Sequence, residues 1–183
     1  MDLVIKIISK IIRRLKPPFS QIKTNILKNA KLARSSENRS ESDYSSYPEF
    51  ALKVALDPKI FSIFRRHHEY SHVVETVSKE IAELYLEIIR YEYNLSIKEI
   101  IEIIDPLQFT GQPKLIKING LPKKISSVGL RYLKTALDIK KLAGSEHIDH
   151  IVEIGCGFGG QAIILDKVCK IKTYKFLDLW QVN

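Results

Sequence analysis

A chain of 183 residues is long enough to bury a sizeable core as one domain or slightly more. Its 45% hydrophobic and 27% charged residues exclude wholesale disorder, and no apolar run nears the roughly 20 residues that cross a bilayer. The net charge of +8 points to an anionic partner, yet residues 1–50 hold ten Lys and Arg against five Asp and Glu with few aromatics between them, so the excess describes an arm and not a nucleic-acid groove.

In chain order, residues 1–18 predict a basic amphipathic helix. Within residues 3–16, Val4, Ile8, Ile11, Ile12 and Leu15 share one face, Lys6, Lys10, Arg13 and Arg14 the other, and Pro17-Pro18 ends the helix. Two readings stay open: peripheral contact with an anionic membrane surface through residues 3–16, or docking with the basic face in solvent. Lys6 and Lys10 interrupt any signal-peptide core, so a cytoplasmic protein is expected. Residues 19–46 read as a polar linker, the stretch from Ser35 to Ser46 having almost nothing to bury.

Residues 47–145 are expected to be mostly helical. Tyr47 to Phe64 is mixed, with Asp57-Pro58 marking a turn or helix start. His72 to Tyr93 predicts one helix with Val74, Val77, Ile81, Leu84, Ile88 and Tyr91 inward and Glu80, Glu83 and Glu87 outward. Ser96-Ile97-Lys98-Glu99 has capping-box form, and Asp105-Pro106 closes the helix it starts. Residues 106–125 hold five Pro and Gly, too many for regular structure beyond a short strand near Leu115–Ile118, and form a candidate substrate-side or lid segment. Ser126 or Ser127 should cap a helix whose Leu130, Leu133, Leu137 and Leu142 form a stripe ending at Gly144.

Residues 146–183 carry the chemistry. An apolar run from Ile151 feeds Gly155, Gly157, Gly159 and Gly160, an amphipathic run from Gln161 to Val168 follows, and Thr173 to Leu179 reads as a second strand ending in Asp178. Such a turn brings backbone close to a ligand, the next helix offers free N–H groups, and an acid at the tip of a second strand suits ribose hydroxyls. Cys156 sits inside the turn, where a disulfide would freeze it, so Cys156 and Cys169 are expected as free thiols in a reducing compartment.

Two motifs compete. His68-Glu69-Tyr70-Ser71-His72 matches the H-E-x-x-H zinc pattern, but a continuous helix to Glu92 would leave that acid roughly 30 Å away, and Arg65-Arg66 disfavours a dication, so no metal site is expected. Gly155, Gly157 and Gly160 satisfy G-x-G-x-x-G, which keeps a nicotinamide oxidoreductase open. Glu153 before the first glycine, and a strand entered from a long helical region, fit a loop that receives S-adenosylmethionine. A third reading is a non-catalytic fragment that docks through its basic arm.

Ser127-Val128-Gly129-Leu130-Arg131-Tyr132-Leu133-Lys134, Asp138-Ile139, the glycine stretch Ile151–Gln161 and Tyr174–Leu179 together resemble the class I S-adenosylmethionine-dependent sugar O-methyltransferases of bacteria over roughly residues 100–180. The resemblance implies an α/β fold in which a helical N-terminal region precedes the first β-α-β unit of a Rossmann-like methyltransferase. It implies cofactor contacts from Glu153, Gly155, Cys156, Gly157 and Asp178, and a saccharide or glycan hydroxyl as methyl acceptor. Cys156 stands where the family commonly has glycine, and Trp180 follows Asp178-Leu179 where it usually has proline. About seven strands make such a sheet and two are legible, so an incomplete sheet and an N-terminal fragment are expected. No catalytic base is assigned.

Overall fold

A computed structural model of the chain describes residues 46–178, together with Thr24 and Lys28, both helical. The chain divides into two compact units, Met1–Arg39 and Ser40–Asn183, and the described fold belongs to the second. The helix expected over residues 1–18 lies outside the described residues, as does the linker over 19–46 apart from Thr24, Lys28 and Ser46.

The second unit is mixed α/β, mostly helical with a two-stranded parallel sheet among the described residues. It opens with α1 (Ser46–Leu56) and α2 (Pro58–Ile63). Asp57 separates them by chemistry the sequence spells out: its Oδ1 accepts from Lys59 N at 2.8 Å and Ile60 N at 3.4 Å, and Pro58 sits where a helix needs no N–H. A 3-10 turn (Phe64–Arg66) leads into α3 (His68–Val74).

The single helix expected from His72 to Tyr93 is two. α3 stops at Val74 and α4 runs Lys79–Tyr93, because tertiary bonds claim the residues between. Glu75 Oε1 accepts from Arg65 Nε at 2.6 Å, Val77 O accepts from Ser127 Oγ at 2.7 Å, and Ser78 caps α4 by accepting from Ile81 N at 3.3 Å. The buried face also differs. Ala82, Leu86 and Ile89 enter the core, whereas Ile81, Leu84 and Tyr91 are exposed. Apolar residues occupy both faces of α4, so spacing alone does not choose between them.

α5 (Ile97–Ile104) begins with the expected reciprocal cap, Ser96 and Glu99 each serving the other's backbone N–H, and buries Ile100 and Ile104 completely. A 3-10 turn (Asp105–Gln108) closes it. Within residues 106–125 the expected short strand reduces to one antiparallel bridge between Ile116 and Ile125. α6 (Val128–Ala143) buries Leu130, Leu133, Ala136 and Leu137 and ends at left-handed Gly144, but Leu142 is 87% exposed, so the stripe stops a turn early. The serine cap is absent too: Ser127 Oγ donates to Val77 O, and Ser126 Oγ accepts from Arg65.

β1 (His147–Ile154), α7 (Gly160–Val168) and β2 (Lys170–Leu177) complete the unit. β1 starts at His147, earlier than the apolar run suggests, and lies parallel to β2 with Ile151 opposite Tyr174 and Ile154 opposite Leu177. The main core gathers α4 to α7, including Leu86, Ile89, Ile104, Leu133 and Ile164; a smaller one joins Phe50, Phe64 and Tyr70. Among the described residues, no helix is long and apolar enough to cross a membrane.

Candidate functional site

After Ile154 the chain turns through Gly155, Gly157 and Gly159, whose φ angles are 74°, 53° and 78°. Side chains resist that region, so glycine lets a strand pass abruptly into a helix here. A Cβ on Gly155 or Gly159 would meet nothing within 4 Å, which leaves one side of the turn open. Gly160 serves closeness: a Cβ there would lie 2.6 Å from the Phe158 ring and 2.7 Å from the Tyr132 ring.

The parallel strands bring two acids to the turn. Asp178 follows β2 directly, and its Oδ2 accepts from Gly157 N at 2.7 Å, while Gly155 N donates to Leu177 O at 2.8 Å. Glu153, next to last in β1, accepts from Tyr174 Oη at 2.8 Å. All five residues expected to hold a cofactor, Glu153, Gly155, Cys156, Gly157 and Asp178, thus meet at the C-terminal ends of the strands, the edge where open parallel sheets bind ligands.

Burial raises the Glu153 carboxyl above its ordinary range, with the Tyr174 hydrogen bond opposing and the Asp178 charge adding. Cys156 is buried and unpaired in a disulfide; burial first, then its hydrogen bond with Asp178, push its thiol up to about 12. Burial raises Cys169 as well. Because the thiolate is the reactive form, both cysteines are expected to react with Ellman's reagent at pH 8 at least about tenfold more slowly in the native protein than after denaturation. Rapid native labelling of Cys156 would contradict its buried setting.

The support around the turn is largely what sequence reasoning missed. Phe158 points into a nest of rings, 5.8 Å from Phe64 and 6.3 Å from both Tyr70 and Tyr132, with the Arg65 guanidinium 4.8 Å above it. Arg65, read from sequence as half of a basic pair, is fully buried. Besides Glu75 it reaches Leu107 O at 2.6 Å through Nη1 and Ser126 Oγ at 2.8 Å through Nη2. No periodicity marks it; a carboxylate ten residues on, Glu75, is the only hint. The Leu-Arg-Tyr segment buttresses the turn: Leu130 is buried, Arg131 Nη2 donates to Val74 O at 3.4 Å, and Tyr132 O accepts from Gln161 Nε2 at 3.1 Å. Gln161 therefore ties α7 to α6.

In the H-E-x-x-H segment the His68 and His72 rings stack with centroids 4.9 Å apart, but His72 Nδ1 faces His68 O at 3.0 Å and Glu69 pairs with His67 at 2.5 Å. Glu92 lies near Lys141, 3.9 Å away. Among the described residues no three His, Cys, Asp or Glu side chains are grouped to hold a metal ion. The candidate lid segment lines a separate cleft of about 880 Å³ through Lys114, Leu115 and Ile116, with Arg66, His72 and Lys79 also on its walls and no residue of the glycine turn.

No family model, curated protein or solved structure matches the chain. What the site can do rests on its own chemistry. A phosphate cradle keeps its backbone N–H groups for the anion. Here the Gly157 N–H is given to a carboxylate, and Glu153 stands beneath the same turn. Such a surface repels a pyrophosphate and suits a ligand that carries positive charge and hydroxyl donors.

Proposed function

We propose that β1, α7 and β2 form the cofactor-binding part of an S-adenosylmethionine-dependent methyltransferase of Rossmann-like fold, whose acceptor is a saccharide hydroxyl. The observation that carries the reading is the Asp178 carboxylate on Gly157 N, which makes the turn electronegative where a dinucleotide would put its phosphates. S-adenosylmethionine has a sulfonium, an ammonium and two ribose hydroxyls to offer such a surface. The open side of Gly155 and Gly159 leaves space for it. The saccharide part of the reading rests on the resemblance carried by Ser127–Lys134 and the glycine stretch.

When bound, the cofactor would supply an electrophilic methyl group to a hydroxyl oxygen, its sulfur leaving as a neutral thioether with the C–S electron pair and the hydroxyl proton passing to solvent. The chain's own residues hold and orient. Asp178 would accept from the ribose hydroxyls, Gly155 and Gly157 would offer backbone without a side chain, and Phe158 anchors the turn against Arg65 and Tyr132.

The test is calorimetric titration of the folded chain with S-adenosylmethionine and with NAD. Binding of the first alone is expected, and Asp178→Ala should weaken it about 100-fold, the loss of two hydrogen bonds to a charged acceptor. Binding of NAD alone would replace this reading with a nicotinamide enzyme, and no binding of either would overturn the assignment of the turn.

A further inference from the structure

One part of S-adenosylmethionine is ill matched to the acids of the turn. Its amino-acid end carries a carboxylate, which Glu153 and Asp178 would repel and which needs hydrogen-bond donors once it leaves water. Four tyrosines stand around the turn, and three of their hydroxyls are engaged or enclosed. Tyr174 Oη donates to Glu153, the Tyr132 hydroxyl is hydrogen-bonded by Arg131, and Tyr70 is shut inside the smaller core. Tyr47, the second residue of α1, is different: it is half-buried, and among the described residues its hydroxyl has no hydrogen-bond partner. Among those residues the Tyr70 hydroxyl is the one unpaired side-chain polar atom closed to solvent, so the Tyr47 hydroxyl, unpaired as well, stays open to it. It also stands at the turn, 3.9 Å from where a Cβ on Gly157 would lie.

We propose that Tyr47 is a cofactor-binding residue whose hydroxyl donates to the carboxylate of S-adenosylmethionine. The chemistry of the ligand selects that group. Its sulfonium and ammonium seek negative charge, and its ribose hydroxyls seek an acceptor such as Asp178; of its charged groups only the carboxylate calls for a donor. Burial first, then the Asp178 charge, push the Tyr47 hydroxyl up to about 12, so it keeps its proton at neutral pH. A neutral donor also suits the place, because it can sit near Asp178 without pairing with it as a lysine or arginine would. The inference rests on the cofactor reading of the turn and extends it, since it makes α1 a wall of the site.

Two probes that differ in that one group test it: S-adenosylmethionine and its decarboxylated form, each titrated calorimetrically into the full chain. Tyr47→Phe keeps the ring 6.0 Å from Tyr70 and should leave circular dichroism and thermal unfolding unchanged. It should weaken S-adenosylmethionine about 10- to 100-fold, the loss of one hydrogen bond to a charged acceptor, and leave the decarboxylated form within about twofold of wild type. Unchanged affinity for S-adenosylmethionine in Tyr47→Phe would overturn the proposal and leave the carboxylate to the backbone N–H groups that open α7. An equal loss for both probes would overturn it too, since the hydroxyl would then serve another part of the ligand or the fold. Asp178→Ala separates the two readings. If it weakens both probes while Tyr47→Phe weakens neither, Tyr47 alone is struck out; if folded wild type binds neither probe, the cofactor reading falls and takes Tyr47 with it.

Discussion

Arg65→Ala is expected to lower the stability of the second unit by about 3–5 kcal/mol, the usual cost of removing one partner from a buried ion pair. The size follows from what is left behind. Glu75, whose side chain is 11% exposed, loses the guanidinium 2.6 Å away and stays as a charge out of water. Leu107 O and Ser126 Oγ lose donors at 2.6 and 2.8 Å in a buried setting. Lysine is a poor substitute, because one ammonium cannot reach a carboxylate, a carbonyl and a hydroxyl that the guanidinium fork serves together. Arg65→Met with Glu75→Leu should recover much of the loss, since removing both charges also removes their desolvation cost. Urea unfolding followed by circular dichroism measures all three variants, and an Arg65→Ala chain within about 1 kcal/mol of wild type would mean the network is not the anchor its geometry implies.

Gly111→Ala should cost about 2–4 kcal/mol and lower the midpoint of thermal unfolding by roughly 10 °C. Two effects add. Gly111 has a φ of 65°, a conformation that side chains resist, and a Cβ there would fall 2.3, 2.6 and 2.9 Å from atoms of the Phe64 ring. Neither side can yield easily. Gly111 O is held by Arg65 N at 3.1 Å, and Phe64, 3% exposed, packs edge-on to Tyr70 at 4.8 Å. Phe64→Leu would make room for the new methyl, so in the double variant the penalty of Gly111→Ala should shrink while its backbone part remains. A penalty of the same size with and without Phe64→Leu would show that the contact does not matter.

Local chemistry is what the sequence displays well. The Ser96–Glu99 cap, the helix start at Asp57-Pro58, the left-handed Gly144 and the strand-turn-helix-strand around Gly155 to Asp178 all follow from residues close in the chain. The five candidate cofactor residues were legible for the same reason: two strand ends and the turn between them bring those residues together. Residues 64–78 were not. The break after Val74 exists because Arg65 finds Glu75 and Ser126, and Ser127 finds Val77, over separations of 10 to 61 positions, and spacing carries no sign of such meetings. Tyr70 is hidden more deeply still, since it sits inside a zinc-like motif and packs among the rings of Phe64 and Phe158. Leu142 errs the other way: its spacing continues the stripe of α6, but on the last turn it stays 87% exposed.

Phe158 packs against both hydrophobic clusters, with Tyr132 on one side and Phe64 and Tyr70 on the other. The two clusters therefore share a ring that belongs to neither helical layer. Cooperativity between them, the property that makes a protein melt as one body instead of two, passes through the same few residues that present the open backbone. A turn so placed cannot be tuned for a ligand without also setting how firmly residues 46–74 hold to the rest of their unit.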